Sequence, residues 1–244
     1  MDPSTEALIA ARQRPSGRAI LTQKWDNLFF LHWKYDAAEI QKRLPAGLFV
    51  DTFNGEAFLS IIGFQMSNIR LLGLPAVPLL SHLNELNVRT YVRTADGKPG
   101  IYFFSLDCDH WLAVKIAQLA FGLKYKHAKI KFKAEQCQLS CLRAKETVTA
   151  NYHWDPQGRP TTATPGTIEF FLLERYTFFT ERQNRLRAGQ VYHPPYVFTS
   201  AHVHACSEAP FQWNQLLPTH SAPYLVHACR GVAIEAFPLT LVHA

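Results

Sequence analysis

Two lysines in the stretch Phe121 to Lys133, FGLKYKHAKIKFK, are the residues of this chain best suited to covalent chemistry. His127, Lys129, Lys131 and Lys133 alternate with Ala128, Ile130 and Phe132, the period-two pattern of a strand with one wet and one buried face. Continued towards the N-terminus, that register puts Lys126 and Lys124 on the apolar side. Burial disfavours the ammonium form, so a lysine held there tends towards a free amine, which attacks carbonyl carbon. If the strand instead starts at Tyr125 or later, both lysines lie on a loop and are solvated. The residue pattern leaves both readings open.

A second polar set lies in HLNELNVRTYVRT. Glu85, Asn87, Arg89 and Tyr91 share one strand face, and Leu86, Val88 and Val92 share the other. Such a row either faces water with a modest Glu–Arg pair or lines a polar cavity. His202, His204 and Cys206 also alternate, and N and S donors at that spacing suit zinc or copper, with His227 and Cys229 to complete the set. Structural zinc sites usually carry tighter pairs such as CxxC, which this chain lacks, so no metal is expected, and chemistry at a free lysine amine needs no cofactor. Cys108 sits between Asp107 and Asp109 at a helix start. The helix end lowers a thiol pKa and the carboxylates raise it, which argues against a catalytic thiol. The absence of GxSxG, of a phosphate-cradling glycine loop and of HExxH removes the hydrolase, nucleotide and zincin classes.

The elements that would carry these residues read mostly as strands. Residues 1–20 resemble a flexible N-terminal arm with little to bury, and residues 21–244 a single domain. NLFFLHWKY is strand-like, and Asp36 caps a short helix that stops at Pro45. Asn54-Gly55 is a strong hairpin turn leading into a long strand from Ala57 to Ile69. The proline-punctuated LGLPAVPLL suits a lid, an oligomer contact or a pocket wall. HLNELNVRTYVRT and GIYFFSLD form a second hairpin around Asp96-Gly97, placing Tyr102 and Phe104 on its return strand. Asp109 caps the apolar helix HWLAVKIAQLAFG, expected to be core-packed and to end at Gly122. IEFFLLERY reads as a short amphipathic helix. DPQGRPTTATPGT reads as a turn-rich loop, and the last third as strands closed by Gly231.

Composition fits this sheet-rich picture. Of 244 residues, 48% are hydrophobic, with 17 phenylalanines and 9 tyrosines, so a large core is available. The net charge of +6 is modest, and no basic helix, zinc finger or RNP-type aromatic motif accompanies it. Nucleic acid is therefore not an expected partner, nor is a membrane, because no apolar run approaches a span. Five cysteines without CxxC, and no signal-peptide pattern, point to a reducing compartment, the cytoplasm by default.

Several blocks are specific in combination: TQKWDNLFFLHWKYD, FLSIIGFQMSNIR, ELNVRTYVR, LAFGLKYKHAKI, ERYTFFT with RLRAGQVYHPPY, and YLVHACRGVAIEAFPL. Together, over roughly Leu21 to Leu239, they resemble the YqjF-like family of uncharacterised proteins (domain of unknown function 2071), grouped with the acetoacetate decarboxylase-like superfamily. The resemblance implies an α+β, mainly antiparallel fold with a β-barrel-like core, an internal pocket, a few peripheral helices and homo-oligomers. In the decarboxylase a lysine forms a Schiff base with a keto acid, helped by a second lysine, with a glutamate and an arginine in the pocket. Aligned on Gly122, Tyr125 falls at the Schiff-base position and Lys126 at its neighbour's. Glu85 and Arg89 would be the pocket acid and base. The expected function is a small-molecule pocket. It is either a Schiff-base decarboxylase or aldolase/dehydratase-like enzyme on a keto acid, or a non-catalytic binder for sensing or carriage. Lys126, Glu85 and Tyr125 would be catalytic. Arg89, Asn87 and Lys124, with Tyr102 and Phe104 as walls, would bind an anionic or carbonyl-containing molecule.

Overall fold

The computed structural model describes residues 3–71 and 82–242. In chain order the elements are α1 (Pro3–Ala11), β1 (Leu21–Tyr35), α2 (Ala37–Gln41), β2 (Leu48–Val50), β3 (Ala57–Leu71), β4 (His82–Thr94) and β5 (Pro99–Cys108). Then come α3 (Trp111–Phe121), β6 (Tyr125–Lys133), β7 (Gln138–Arg143), β8 (Ala150–Thr161), α4 (Ile168–Leu173) and β9 (Thr177–Arg182). The chain finishes with β10 (Arg185–Tyr192), β11 (Phe198–Ala205), α5 (Ala209–Trp213), β12 (Leu225–Ala236) and β13 (Thr240–Leu241). The fold is α+β and mainly antiparallel; among the named strand pairs, only β5 with β6 and β5 with β9 are parallel.

The sheet is organised around a central wall, β12-β1-β3-β4-β5, that forks at both edges. Along one edge of β5, Ile101 and Tyr102 pair with β9, while Leu106 to Cys108 pair with β6. On β12, His227 to Cys229 pair with β11, while Glu235 and Ala236 pair with β10. Two rings result. One closes through β6-β7-β8-β11, the other through β9-β10, and the wall belongs to both. Side chains alternate across a strand, so the wall feeds two cores. Phe29, Leu31, Leu59, Ile61, Leu86 and Val88 fill the first ring. Leu28, Phe30, Ile62, Phe64, Leu83 and Tyr91 face the second.

Local signals account for much of this. Asn54 and Gly55 both take positive φ, 51° and 81°, as a two-residue hairpin turn requires. Asp36 caps α2, its Oδ1 accepting from the N–H groups of Ala38 and Glu39. Gly122 ends α3 in the left-handed region, φ 64°.

Other expectations are corrected. Within the expected N-terminal arm, residues 3–11 form a helix that buries Leu8. Asp109 does not cap α3; it accepts from the backbone N–H and side-chain amide of Asn84, and His110 takes the cap. The helix α3 is not wrapped by core: Trp111 is 63% and Leu119 73% exposed, and only one face packs inwards. The helix α4 is buried along Phe170 to Leu173 instead of amphipathic. β8 continues through Pro156 to Thr161 where a loop was expected, and β12 runs straight through Gly231. A Cβ there would sit 2.7 Å from Asp26 Oδ1, so glycine is the residue that fits this close strand approach. The segment LGLPAVPLL lies outside the described residues.

Candidate active or binding cavity

The second ring encloses a cavity of about 470 Å³. Its walls are largely apolar, drawn from β1, β3, β4, β5, β9 and one face of α3. β4 lays Glu85, Asn87 and Arg89 along one wall, because residues two apart share a strand face and Leu86 and Val88 turn to the other core. Tyr125, the first residue of β6, reaches the same space.

All four of these predicted residues meet the cavity, and three are bonded together. The Tyr125 hydroxyl donates to Glu85 Oε2 at 2.6 Å, and Asn87 Nδ2 donates to Glu85 Oε1 at 3.1 Å. Burial pushes the Glu85 carboxyl up to about 7, against the pull of those two hydrogen bonds and with added repulsion from Asp107. Burial, then the Glu85 charge, holds the Tyr125 phenol well above its ordinary value. Near neutrality Glu85 therefore exists in both protonation states, the condition for an acid–base group.

Arg89 lies further along the wall. It is only 7% exposed, donates through Nη2 to the Leu172 carbonyl at 3.1 Å, and leaves Nε buried without a partner. Among the described residues no carboxylate forms a salt bridge with it. Asn87 Oδ1 is likewise buried without a donor. Buried polar atoms are nearly always bonded, and these two unsatisfied atoms belong to residues that line the cavity.

Four lining residues were not singled out from the sequence. Arg175 pairs with Asp51 at 2.7 Å and keeps a buried, unpartnered Nη2. Tyr176, whose hydroxyl donates to Glu174, and Tyr196 flank His193, with ring centroids 4.4 and 4.3 Å away. Burial lowers His193 to about 4, so its ring is neutral. Nδ1 lies 2.8 Å from the Pro194 carbonyl, which fixes the proton on Nδ1 and leaves Nε2 as an acceptor. These residues lie in the blocks ERYTFFT and VYHPPY. That recurring pairing of aromatic with ionisable residues was the available signal.

The remaining predicted residues lie elsewhere. Lys126 is exposed and does not line the cavity; no lysine does among the described residues. Tyr125 takes the cavity side, so its neighbour on the strand takes the opposite one, across from Asp107. Lys124 is exposed and donates to the Tyr102 hydroxyl at 2.6 Å. Tyr102 and Phe104 belong to the first core, not to the cavity wall. A register irregularity opposite Val88 and Arg89 then shifts β5, so that Phe103, Leu106 and Cys108 line the cavity instead. Burial raises the Cys108 thiol to about 12, which makes it an inert wall.

Comparison with known proteins agrees with this architecture. Residues 22–233 match the family DUF2071, described as an uncharacterized conserved protein. The "Uncharacterized protein YqjF" of Bacillus subtilis (strain 168) is 37% identical over 190 residues, 77% of this chain and 78% of that protein. Acetoacetate decarboxylase from Legionella pneumophila superposes with a TM-score of 0.63 at 14% identity, covering 96% of this chain and 94% of its own. The enduracididine biosynthesis enzyme MppR complexed with pyruvate gives a TM-score of 0.61 at 13% identity, over 94% and 93% of the two chains. At such identities these two likenesses establish a shared acetoacetate decarboxylase-like fold.

Proposed function

We infer that this chain, which belongs to the DUF2071 family, uses its cavity to hold a small organic anion non-covalently. One observation carries the reading: among the described residues Arg89 is a buried cation without a counter-ion, set in an apolar cavity. An unpaired buried charge costs several kcal/mol, and an incoming carboxylate would relieve it through the guanidinium fork. The apolar walls suit a ligand with a hydrocarbon or aromatic body. Glu85, Tyr125 and Asn87 suit a carbonyl or hydroxyl at its other end. On an extended strand Glu85 and Arg89 start roughly 13 Å apart, so the ligand is longer than pyruvate alone. A lysine Schiff base forms no part of this reading, because the cavity offers no amine among the described residues.

A second reading is favoured by the neutral-range carboxyl of Glu85 and its bond to Tyr125: proton transfer at the carbon next to the ligand's carbonyl. The two readings share a ligand and differ in whether it turns over.

The test is a thermal-shift and calorimetric panel of carboxylic and 2-keto acids of increasing apolar length, with matched amides, followed by borohydride treatment and intact mass. Acids are expected to stabilise the protein more than their amides, with no covalent adduct. Equal effects of acids and amides, or an adduct on any lysine, would overturn the reading. Exchange of the ligand's α-protons with deuterium, lost in Glu85→Gln, would select the catalytic version.

A further inference from the structure

We propose that His153, Asp155 and His204, with His202 beside them, bind a single divalent transition-metal ion of the zinc class on the outer face of β8 and β11. The sequence pattern offers only His202, His204 and Cys206 as a candidate set, from which no metal is expected. The structure groups a different set, because the partners come from the neighbouring strand.

His153 and Asp155 are two apart on β8, and His202 and His204 are two apart on β11, so each pair shares a face. Antiparallel pairing sets His202 directly opposite Asp155 and Ala205 opposite His153. The register irregularity between Val203 and Ala205 seats His204 between the two β8 residues. One donor atom each from His153, Asp155 and His204 lie within 4.8 Å of one another. His204 Nε2 is 2.6 Å from Asp155 Oδ2. The His204 ring centroid is 4.6 Å from that of His153 and 4.9 Å from that of His202.

Zinc binds imidazole nitrogen and carboxylate oxygen at about 2.0–2.2 Å, so tetrahedral ligand atoms sit roughly 3.4 Å apart. The side chains of Asp155, His202 and His204 are exposed and free to make that small contraction. Two imidazoles and one carboxylate, with the His202 ring beside them, suit zinc, nickel or copper, and not the all-oxygen preference of magnesium or calcium. An exposed His–Asp pair alone contributes little to stability, which gives no reason for two further rings to gather there. Cys206 is not part of this group, and His227 and Cys229 are buried on β12. None of the four residues lines the cavity, so this site stands or falls separately from the ligand proposed above.

Bound metal would clip β8 to β11, where the first ring closes, and would raise the melting temperature by mass action. The experiment uses the full chain, stripped with EDTA and dialysed near neutral pH. Zinc chloride is titrated calorimetrically, and cobalt(II) by visible absorption. One zinc per chain is expected with a Kd tighter than about 100 µM, with a rise in melting temperature. The double substitution His153→Ala, His204→Ala is expected to weaken binding by at least ~10-fold, while Cys137→Ser, Cys206→Ser leaves it unchanged. No binding in that range, or equal binding by the histidine variant, would overturn the proposal. His153 is half-buried and His204 exposed on a strand face, and circular dichroism of the variants separates a loss of binding from unfolding.

Discussion

Arg89 and Glu85 give opposite kinds of test on one strand face. A buried, unpaired cation destabilises the chain that carries it, so Arg89→Met should leave the melting temperature unchanged or raise it. The same change should weaken carboxylate binding by at least ~10-fold, read by calorimetry. Loss of stability together with unaltered binding would mean that Arg89 serves packing instead. For Glu85 the sign follows from its raised carboxyl. The folded chain holds the proton more tightly than the unfolded one. The contribution is fully present below about 4.5, falls as pH rises, and is lost above about 7. A rise of that size is on the order of 3 kcal/mol. Urea denaturation at about pH 5 and about pH 8 should show Glu85→Gln losing less stability across that interval than the unmodified chain. Parallel profiles would rule the effect out. Ligand affinity should also fall above neutrality, where ionised Glu85 repels a bound anion.

β3, β9 and β10 show how closely the strands pack. A Cβ on Gly63 would lie 2.3 Å from the Phe29 ring, and one on Gly189 2.2 Å from Phe178. Both alanine substitutions should destabilise by about 1–3 kcal/mol in chemical denaturation. Phe178 is also a cavity wall, so Gly189→Ala should alter ligand affinity while Gly63→Ala should not. By contrast, Leu119→Gln on the exposed side of α3 should stay within about 0.5 kcal/mol. These elements also show what the sequence makes legible. The alternation through Glu85, Asn87 and Arg89 could be read directly, because one side of β4 is polar and the other aliphatic. β5 could not, since Tyr102 and Phe103 are both large and apolar and both faces are buried, in different cores. Periodicity distinguishes wet from dry, not one dry compartment from another, and the irregularity at Phe104 leaves no mark in the residue types. Lys126 was misplaced for the same reason, as the apolar side of β6 faces the first core and the cavity receives Tyr125.

Across the whole molecule, β1 and β12 join residues near both ends, Leu21 lying opposite Ala236. Such non-local pairing makes folding slow and dependent on the last strands. Truncation before Leu225 removes a strand shared by both rings and should abolish cooperative unfolding in a thermal scan. Removing only residues 240–244, which include the short edge strand β13, should be tolerated. A folded product from the longer truncation would contradict the shared-wall architecture. The same wall has a consequence for how such proteins diversify. One compartment is filled by side chains and the other is partly empty, and the strands of the wall between them alternate their residues from one to the other. Changes to the cavity-facing Phe178 of β9, Val191 of β10 and the inner face of α3 can therefore reshape the cavity while Phe179 and Ala188 keep the packed side, and the packed side can drift while the cavity keeps its polar stripe. Core packing and cavity shape thus rest on different residues of the same strands, so odd-numbered substitutions on β4 alter the cavity wall while its even-numbered neighbours keep the packed core.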